Sequence, residues 1–187
     1  MNLCNVNDEL INYLFKTFGN DFYYNKSEHH QRPYIIPVLS TEKFKYIAPV
    51  TSRELLKEGE EQTFLQFENP RDGGINFAKM IPIFNKDTLK EINPKNYRFD
   101  KPYQERLARQ LGFINENAVL IKQWALAAYR LSLSNEKHAG LFLYNYKKLE
   151  KAVANFKPDH VCKQKYHSLP KHFLAQRGAP RFGLSHH

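Results

Sequence analysis

KFKYIAPVTS, residues 43–52, alternates apolar and polar side chains with the two-residue period of a β-strand. One face of this strand carries Phe44, Tyr46, Ala48 and Val50, and the other carries Lys45, Ile47, Pro49 and Thr51. The preceding segment Tyr34–Ser40 is nearly all apolar, and Pro37 within it indicates a bulge or an edge position. Thr41-Glu42 supplies the turn between them. The two segments are therefore predicted to form an antiparallel hairpin.

The remaining elements follow from periodicity and from turn signals, of which residues 69–74, NPRDGG, are the strongest. Further strands are predicted at residues 1–6, 63–68 and 75–84, the last with a kink at Pro82, and helices at 7–19, 53–61, 101–115, 116–133 and 144–156. Residues 87–100 form a polar connector with a helical start. Because the strands mostly precede the helices, we predict an α+β fold with one domain over residues 1–157 and a basic extension over 158–187.

The charge of the chain is basic and unevenly distributed. Net charge is +9 over 187 residues, and 42% of the residues are hydrophobic, which is typical of a folded protein. Residues 1–100 have 13 Lys and Arg against 14 Asp and Glu, a net charge of −1, whereas residues 101–187 have 15 against 5, a net charge of +10. This asymmetry favours a polyanionic partner, and nucleic acid over a membrane, since no segment is long and apolar enough to span a bilayer.

The N-terminus and the two cysteines indicate the cytoplasm. MNLCNVNDEL has no basic start and no apolar core, so it is not a secretory signal. Cys4 and Cys162 lie near opposite ends of the chain and form no disulfide framework. We therefore expect a cytoplasmic protein with reduced thiols.

Two polar segments are candidates for binding RNA. Residues 20–33 hold aromatic rings among cations, a mixture that stacks on unpaired bases and contacts phosphates, although a solvated loop with two buried tyrosines fits equally well. Residues 157–187 hold six Lys and Arg and five His against one acid. This extension is interpreted as an RNA-contacting arm, the alternative being a disordered tail tethered by a few aromatic residues.

The sequence favours chemistry that needs no metal. His160, Cys162, His167 and His172 lack the paired-cysteine or HExxH spacing of a zinc site, and no glycine-rich phosphate loop is present. We therefore expect neither a metal nor a cofactor. RNA can be cleaved by its own 2′-hydroxyl when a base removes the proton, cations stabilise the phosphorane and an acid protonates the leaving oxygen. Side chains around Thr51 could serve these roles.

Three segments carry a resemblance to a known family. KYIAPVTS at residues 45–52, GGINFAKMIPI at 73–83 and YQERLARQLGFINEN at 103–117 resemble, in this order, the ToxN/AbiQ family of toxins from type III toxin–antitoxin systems. The resemblance implies a sequence-specific endoribonuclease of cellular or phage mRNA that works without metal and leaves 2′,3′-cyclic phosphate and 5′-hydroxyl ends. It also implies a twisted antiparallel sheet with flanking helices, akin to the MazF/Kid toxins. The implied inhibitor is a small repetitive RNA of pseudoknots that joins toxin copies into a closed assembly.

The resemblance places the catalytic residues around Thr51 and Ser52, which match the family's hydroxyl pair and are assigned to phosphate positioning. The family's lysine two residues after the serine is replaced here by Glu54, so Arg53 or Lys57 would act instead. The family's lysine before the first core strand falls on Arg32. Because arginine stays protonated, it is a poor general base, and His29 or His30 could act instead, since imidazole titrates near neutral pH. The resemblance adds Tyr24, which lies in the loop where the family carries a functional tyrosine.

RNA-binding candidates are drawn from the cations and rings along the chain. They are Tyr23, Lys26, Lys45, Lys79, Arg106, Arg109, Lys147, Lys148, Lys163, Lys165 and Lys171. Three alternatives stay open at this stage: Ser52 as an ordinary helix N-cap, a non-catalytic RNA-binding protein or inactive family member, and a DNA-binding regulator. The last is weakest, because no recognition-helix arrangement is evident.

Overall fold

The computed structural model describes residues 1–19, 32–52, 59–96, 100–134 and 143–158. The strands are β1 Asn2–Val6, β2 Tyr34–Ser40, β3 Lys45–Thr51, β4 Phe64–Gln66, β5 Gly74–Asn76, β6 Ile81–Ile83 and β7 Leu89–Glu91. The helices are α1 Asp8–Phe18, α2 Lys101–Glu116, α3 Ala118–Leu133 and α4 Tyr146–Asn155. The predicted helix boundaries agree within two or three residues, and Asn7 caps α1 as expected, with its side chain accepting from Glu9 N.

The strands form one antiparallel sheet in the order β4-β5-β3-β2-β1-β7, with β6 also paired to β3. On one side β3 pairs with β2 along the predicted hairpin. On the other side Lys45–Ile47 pair with β6, and Val50 and Thr51 pair with β5. This architecture confirms the predicted α+β fold with an antiparallel sheet and flanking helices.

β3 is buried on both faces. Tyr46, Ile47 and Ala48 are consecutive, so they point to alternate faces, and all three are fully buried. α4 packs on β6, α3 packs on β2, and α1 packs on α4. The apolar residues on both sides of β3 therefore fix its register, because a shift by one residue would exchange the two buried sets.

The prediction of a single strand over residues 75–84 is wrong. It is divided into β5 and β6 by a 3₁₀ turn at Phe77–Lys79, before Pro82 is reached. The turn inserts Phe77 into the core, where its ring lies 6.1 Å from that of Trp124. The Phe77 carbonyl accepts a hydrogen bond from the Tyr146 hydroxyl. Core packing of one aromatic side chain thus outweighs the continuous apolar pattern.

Two other segments differ from the sequence prediction. Residues 87–100 contain β7, a polar strand that pairs with β1 at the edge of the sheet, where its outer face needs no apolar side chains. The predicted helix at 53–61 does not include residues 59–61, which form turns, and residues 53–58 lie outside the described part of the chain. Pro37 does mark a bulge, since the β2–β3 register shifts between Ile35 and Leu39, but β2 is an interior strand.

Cys4 lies on β1, where it is 2% exposed and carries a free thiol. Burial raises the pKa of this thiol to about 12, with a smaller contribution from the charge of Glu91. The thiolate is therefore scarce at neutral pH. Cys162 lies outside the described residues.

A buried carboxylate ties β3 to α3 and α4. Glu150 Oε1 accepts hydrogen bonds from the hydroxyls of Tyr46 at 2.7 Å and Tyr129 at 3.2 Å, and Oε2 accepts from Lys147 Nζ at 3.0 Å. Burial acts to raise the pKa of Glu150, but the hydrogen bonds from Tyr46 and Lys147 hold it below its ordinary value. The ionised form is therefore the one that stabilises the fold.

This carboxylate predicts a defined loss of stability in acid. The folded pKa of Glu150 is depressed, so its contribution is present above the ordinary value of 4.5 and is lost as the pH falls through the lower folded value. We expect Glu150→Gln to lower the unfolding free energy by about 1–3 kcal/mol at pH 7. It should also flatten the decline below pH 4.5 in urea titrations at successive pH values. The exposed Glu42 provides the control variant Glu42→Gln, which should change neither quantity; an unchanged acid slope in Glu150→Gln would contradict the assignment.

Candidate functional site

The end of β3 lies between two neighbouring segments. Thr51 pairs with Gly74 of β5 on one side. On the other side Tyr34 pairs with Pro49, and Val50 N donates to Pro33 O at 2.8 Å. Continuing this register by one residue places Arg32 opposite Thr51. Thr51 and Arg32 are half-buried, and Ser52 is exposed, so two hydroxyl-bearing residues and an arginine lie on neighbouring segments where the sheet opens to solvent.

The turn before β5 presses against the peptide bond between Thr51 and Ser52. Gly73 has φ +86°, and a Cβ atom on it would lie 1.7 Å from the Thr51 carbonyl oxygen and 2.8 Å from Ser52 Cα. Only glycine fits such a conformation and such a close approach. The turn holds its shape through bonds from Asp72 N to Asn69 O and from Gly73 N to Pro70 O, both at 2.9 Å. The turn predicted from NPRDGG is thus confirmed.

α2 fixes the same turn from its outer side. Arg109 binds the Asp72 carboxylate in a bidentate pair, Nε to Oδ2 at 2.8 Å and the second guanidinium nitrogen to Oδ1 at 2.7 Å. Gln110 Nε2 donates to the Asp72 carbonyl at 2.7 Å. The Arg109 hydrogen bonds hold the pKa of Asp72 below its ordinary value against the effect of burial, and the charge of Arg106 contributes. We call Asp72, Arg109 and Gln110 the α2 clasp.

A groove runs beside the clasp on the α2 side. Its volume is about 320 Å³, and its lining combines apolar rings with carboxylates and one guanidinium. Phe67, Glu68, Asn69, Asp72, Arg109, Gln110, Gly112, Phe113 and Glu116 line it. The groove lining does not include Thr51, Ser52 or Arg32. The strand end itself, with two hydroxyls and a nearby guanidinium, is an arrangement that can hold a phosphodiester.

Comparison with known proteins identifies the family. The sequence profile described as "Toxin ToxN, type III toxin-antitoxin system" matches residues 2–154, most of the chain. The chain belongs to the ToxN toxin family. None of the curated protein sequences matches it.

Three solved structures share the ToxN fold with this chain. One comes from a bacterial antiviral system that a processed non-coding RNA regulates, with 24% identity, 84% of this chain and 100% of that chain covered, and a TM-score of 0.71. Another is a type III toxin that a non-coding RNA pseudoknot selectively inhibits, with 22% identity, coverages of 82% and 95%, and a TM-score of 0.70. A third is AbiQ, a lactococcal anti-phage endoribonuclease of a type III system, with 21% identity, coverages of 82% and 95%, and a TM-score of 0.66.

The RNA-binding candidates of this ToxN-family chain divide into two groups. Arg106 and Arg109 lie on α2 beside Asp72, and Arg106 also stacks 5.0 Å from the Tyr103 ring centroid. Lys45 is exposed at the opposite end of β3, about 20 Å along the strand from Thr51. α4 packs on β6, which pairs with that end of β3, and carries Lys147 and Lys148. Arg106 and Arg109 are therefore the candidates on the side of Thr51, and the lysines are those at the Lys45 end of β3.

Two of the candidate lysines, Lys79 and Lys147, contact aromatic rings. Lys79 Nζ lies 4.3 Å from the ring centroid of Tyr144, and Lys147 Nζ lies 5.7 Å from that of Tyr129. Lys147 is also paired with Glu150, and Lys148 is exposed. Lys79 and Lys147 therefore each pack their ammonium group near an aromatic ring, an arrangement that stabilises the cation there.

Several predicted residues lie outside the described part of the chain. They are Tyr23, Tyr24, Lys26, His29, His30, Arg53, Lys57, Lys163, Lys165 and Lys171, together with His160, Cys162, His167 and His172 of the weighed zinc site. The interpretation of Ser52 as a helix N-cap depends on residues 53–58 and stays a prediction. Within the described ranges, no group of three His, Cys, Asp or Glu is arranged to hold a metal ion, and no helix has the length and apolar character needed to cross a membrane.

Sequence reasoning missed the α2 clasp. Arg109 was selected as an RNA-binding cation, but its partner Asp72 is 37 residues away, and no local pattern pairs them. Gln110 carries no sequence signal at all, yet it is 4% exposed. The one available hint was the turn sequence NPRDGG, whose glycines indicated tight backbone geometry but not what the turn contacts.

Proposed function

We propose that this ToxN-family toxin is an endoribonuclease that cleaves RNA through attack of the RNA's own 2′-hydroxyl, without a metal ion. The observation that carries the proposal is the exposed Ser52 next to Thr51, at a strand end that also faces Arg32. In support, the family match covers this strand end, and one neighbour of the same fold is an endoribonuclease.

The arrangement supplies electrostatic and positioning roles. The hydroxyls of Thr51 and Ser52 can donate to nonbridging phosphate oxygens, and the Arg32 guanidinium can stabilise the negative charge that develops on the phosphorane. Arg32 is not suited to remove the 2′-hydroxyl proton, because an arginine side chain stays protonated. His29, His30 and Tyr24 therefore remain the candidates for proton transfer, and Arg53 and Lys57 are further candidate cations. The products would be a 2′,3′-cyclic phosphate and a 5′-hydroxyl.

We further propose a repetitive antitoxin RNA as the inhibitory partner in the cytoplasm, and cellular or phage mRNA as the target. Support comes from the net charge of +10 in residues 101–187 and from a neighbour of the same fold that an RNA pseudoknot inhibits. If each RNA unit bridges two toxin copies head to tail, heterologous contacts of this kind close into a ring at a suitable rotation. Toxin and RNA would then form a cyclic hetero-oligomer.

Cleavage in EDTA tests the mechanism. Purified toxin, freed of antitoxin, is incubated with a single-stranded RNA transcript in about 5 mM EDTA, roughly a tenfold excess over any residual metal. The ends of the fragments are then mapped. We expect undiminished cleavage and cyclic phosphate ends. A transcript with 2′-deoxy substitution at the cut position should resist cleavage, because it lacks the attacking hydroxyl.

The competing function is an RNA-binding protein without activity. Glu54 stands where the family carries a lysine, and electrostatic attraction alone would account for binding. Retention of the transcript without any cleavage would favour this alternative. Cleavage that EDTA abolishes would instead show that a metal ion takes part.

A further inference from the structure

We infer that the Asp72–Arg109 pair of the α2 clasp positions the Thr51–Ser52 peptide for RNA cleavage and does not itself contact the RNA. The inference rests on the proposed function, because it assigns positioning residues to the same site. Arg109, which was predicted to bind RNA, thereby becomes a positioning residue.

The α2 clasp engages every polar group of Asp72. Asp72 is 4% exposed, and all of its polar groups are engaged: both carboxylate oxygens by Arg109, the carbonyl by Gln110 and the amide by Asn69 O. A bidentate guanidinium–carboxylate pair fixes distance and plane together. The turn is thereby held to α2 through a side chain and through the backbone at once.

The α2 clasp is connected to the strand end through backbone atoms alone. Gly73 follows Asp72 directly, and a Cβ atom on it would lie 1.7 Å from the Thr51 carbonyl oxygen and 2.8 Å from Ser52 Cα, so its backbone lies close to this peptide. Gly73 O also accepts from Phe67 N at 3.0 Å, and Gly74 pairs with Thr51. A displacement of Asp72 would therefore move the peptide that carries both hydroxyls, with no flexible side chain between to absorb it.

The Arg109 guanidinium is already paired with the Asp72 carboxylate. The pair leaves Arg109 half-exposed, with a side-chain accessibility of 53%, yet its Nε and one terminal nitrogen are bound to the carboxylate. The groove beside it also presents Glu68 and Glu116, which would repel a phosphate. These charges make Arg109 a poor phosphate ligand and a good support for the turn.

The two roles of Arg109 predict opposite results for Asp72→Asn. If Arg109 contacted phosphate, removal of the Asp72 charge would free the guanidinium and strengthen RNA binding. If the pair positions the strand end, Asp72→Asn should lower the single-turnover cleavage rate at saturating toxin at least tenfold. The Kd for the same transcript, measured with both proteins carrying Ser52→Ala so that the RNA is not cleaved, should change less than twofold. A displacement of about 1 Å costs on the order of a hundredfold in such sites.

Further variants complete the experiment. Arg109→Gln and the double variant Asp72→Asn/Arg109→Gln should match the single variant, because they break one unit. Arg109→Lys, which keeps the charge but not the fork, should recover only part of the rate. Lys122→Gln, an exposed charge loss on α3, is the control and should leave rate and Kd unchanged. Circular dichroism at the assay temperature confirms that each variant is folded.

Hydrogen exchange separates this inference from the proposed function. In Asp72→Asn, amide exchange of peptides covering Val50 to Ser52 and Gly73 to Asn76 should accelerate, while peptides of β1 and β2 stay protected. Tighter RNA binding with unchanged cleavage and unchanged exchange would overturn the inference and return Arg109 to the RNA interface. A wild-type protein that cleaves no RNA would refute the proposed function alone, and the exchange result would still decide whether the pair positions the strand end.

Discussion

Ser52→Ala and Arg32→Ala are each expected to abolish growth inhibition when the toxin is expressed without antitoxin RNA. Cleavage of a transcript by the purified variants should fall by a factor on the order of 10²–10³, because each change removes one donor from a developing negative charge. Ser52 is exposed and Arg32 half-buried at the strand end, so neither change should alter the melting temperature by more than about 4 °C.

The matched control for these variants is Ser40→Ala. Ser40 is likewise an exposed serine at the end of a strand, but it pairs with Lys45 at the far end of the β2–β3 hairpin. Its replacement should leave toxicity and cleavage unchanged. Full toxicity of both Ser52→Ala and Arg32→Ala, in cells that contain the intact proteins, would remove the catalytic role from this strand end.

Gly73→Ala is expected to have the largest effect on stability. The added methyl would lie 1.7 Å from the Thr51 carbonyl oxygen, a backbone atom that pairs in the sheet and cannot rotate away. The φ of +86° adds a conformational cost of roughly 1 kcal/mol. If the backbone does not move, we expect the unfolding free energy in urea to fall by about 3 kcal/mol or more. If the Thr51–Ser52 peptide instead moves to accommodate the methyl group, we expect cleavage to be lost.

Two other glycines separate the contributions to this effect. Gly19 also has a positive φ of +74°, but a Cβ there meets nothing within 4 Å, so Gly19→Ala should show the conformational cost alone. Gly112 lies within α2 with open space around it, and Gly112→Ala should stabilise the protein by about 0.5–1 kcal/mol. A loss in Gly73→Ala no greater than that in Gly19→Ala would show that the strand end tolerates the methyl.

The sheet could be predicted from sequence because its central strand carries the strongest periodic signal. Residues 43–52 and 34–40 form the hairpin that the alternation and the turn indicate. The division of residues 75–84 into two strands and the presence of β7 were not predictable from alternation. Phe77 is apolar in an apolar run, and the turn there accompanies contacts that no local pattern shows: its ring packs near Trp124, and its carbonyl accepts from the Tyr146 hydroxyl. β7 was missed because an edge strand can be polar.

The candidate site was predictable only in part, and for a related reason. Thr51 and Ser52 were selected because the resemblance places a hydroxyl pair at a strand end, and the hairpin register continues toward Arg32 at the same end. Asp72 and Gln110 were not found, since their role depends on contacts between segments 38 residues apart. Local propensity carries no information on such pairs.

The order in which these segments leave the ribosome has a consequence for the cell that makes the toxin. Thr51 and Ser52 are synthesised early, but their neighbour Gly73 comes later, and Arg109, which anchors Gly73 through Asp72, later still. A nascent chain that has not yet exposed α2 therefore lacks the contacts that hold the strand end at Thr51 and Ser52. If this strand end is the catalytic site, as proposed, we expect the growing polypeptide to cleave no RNA until more than half of the protein has emerged.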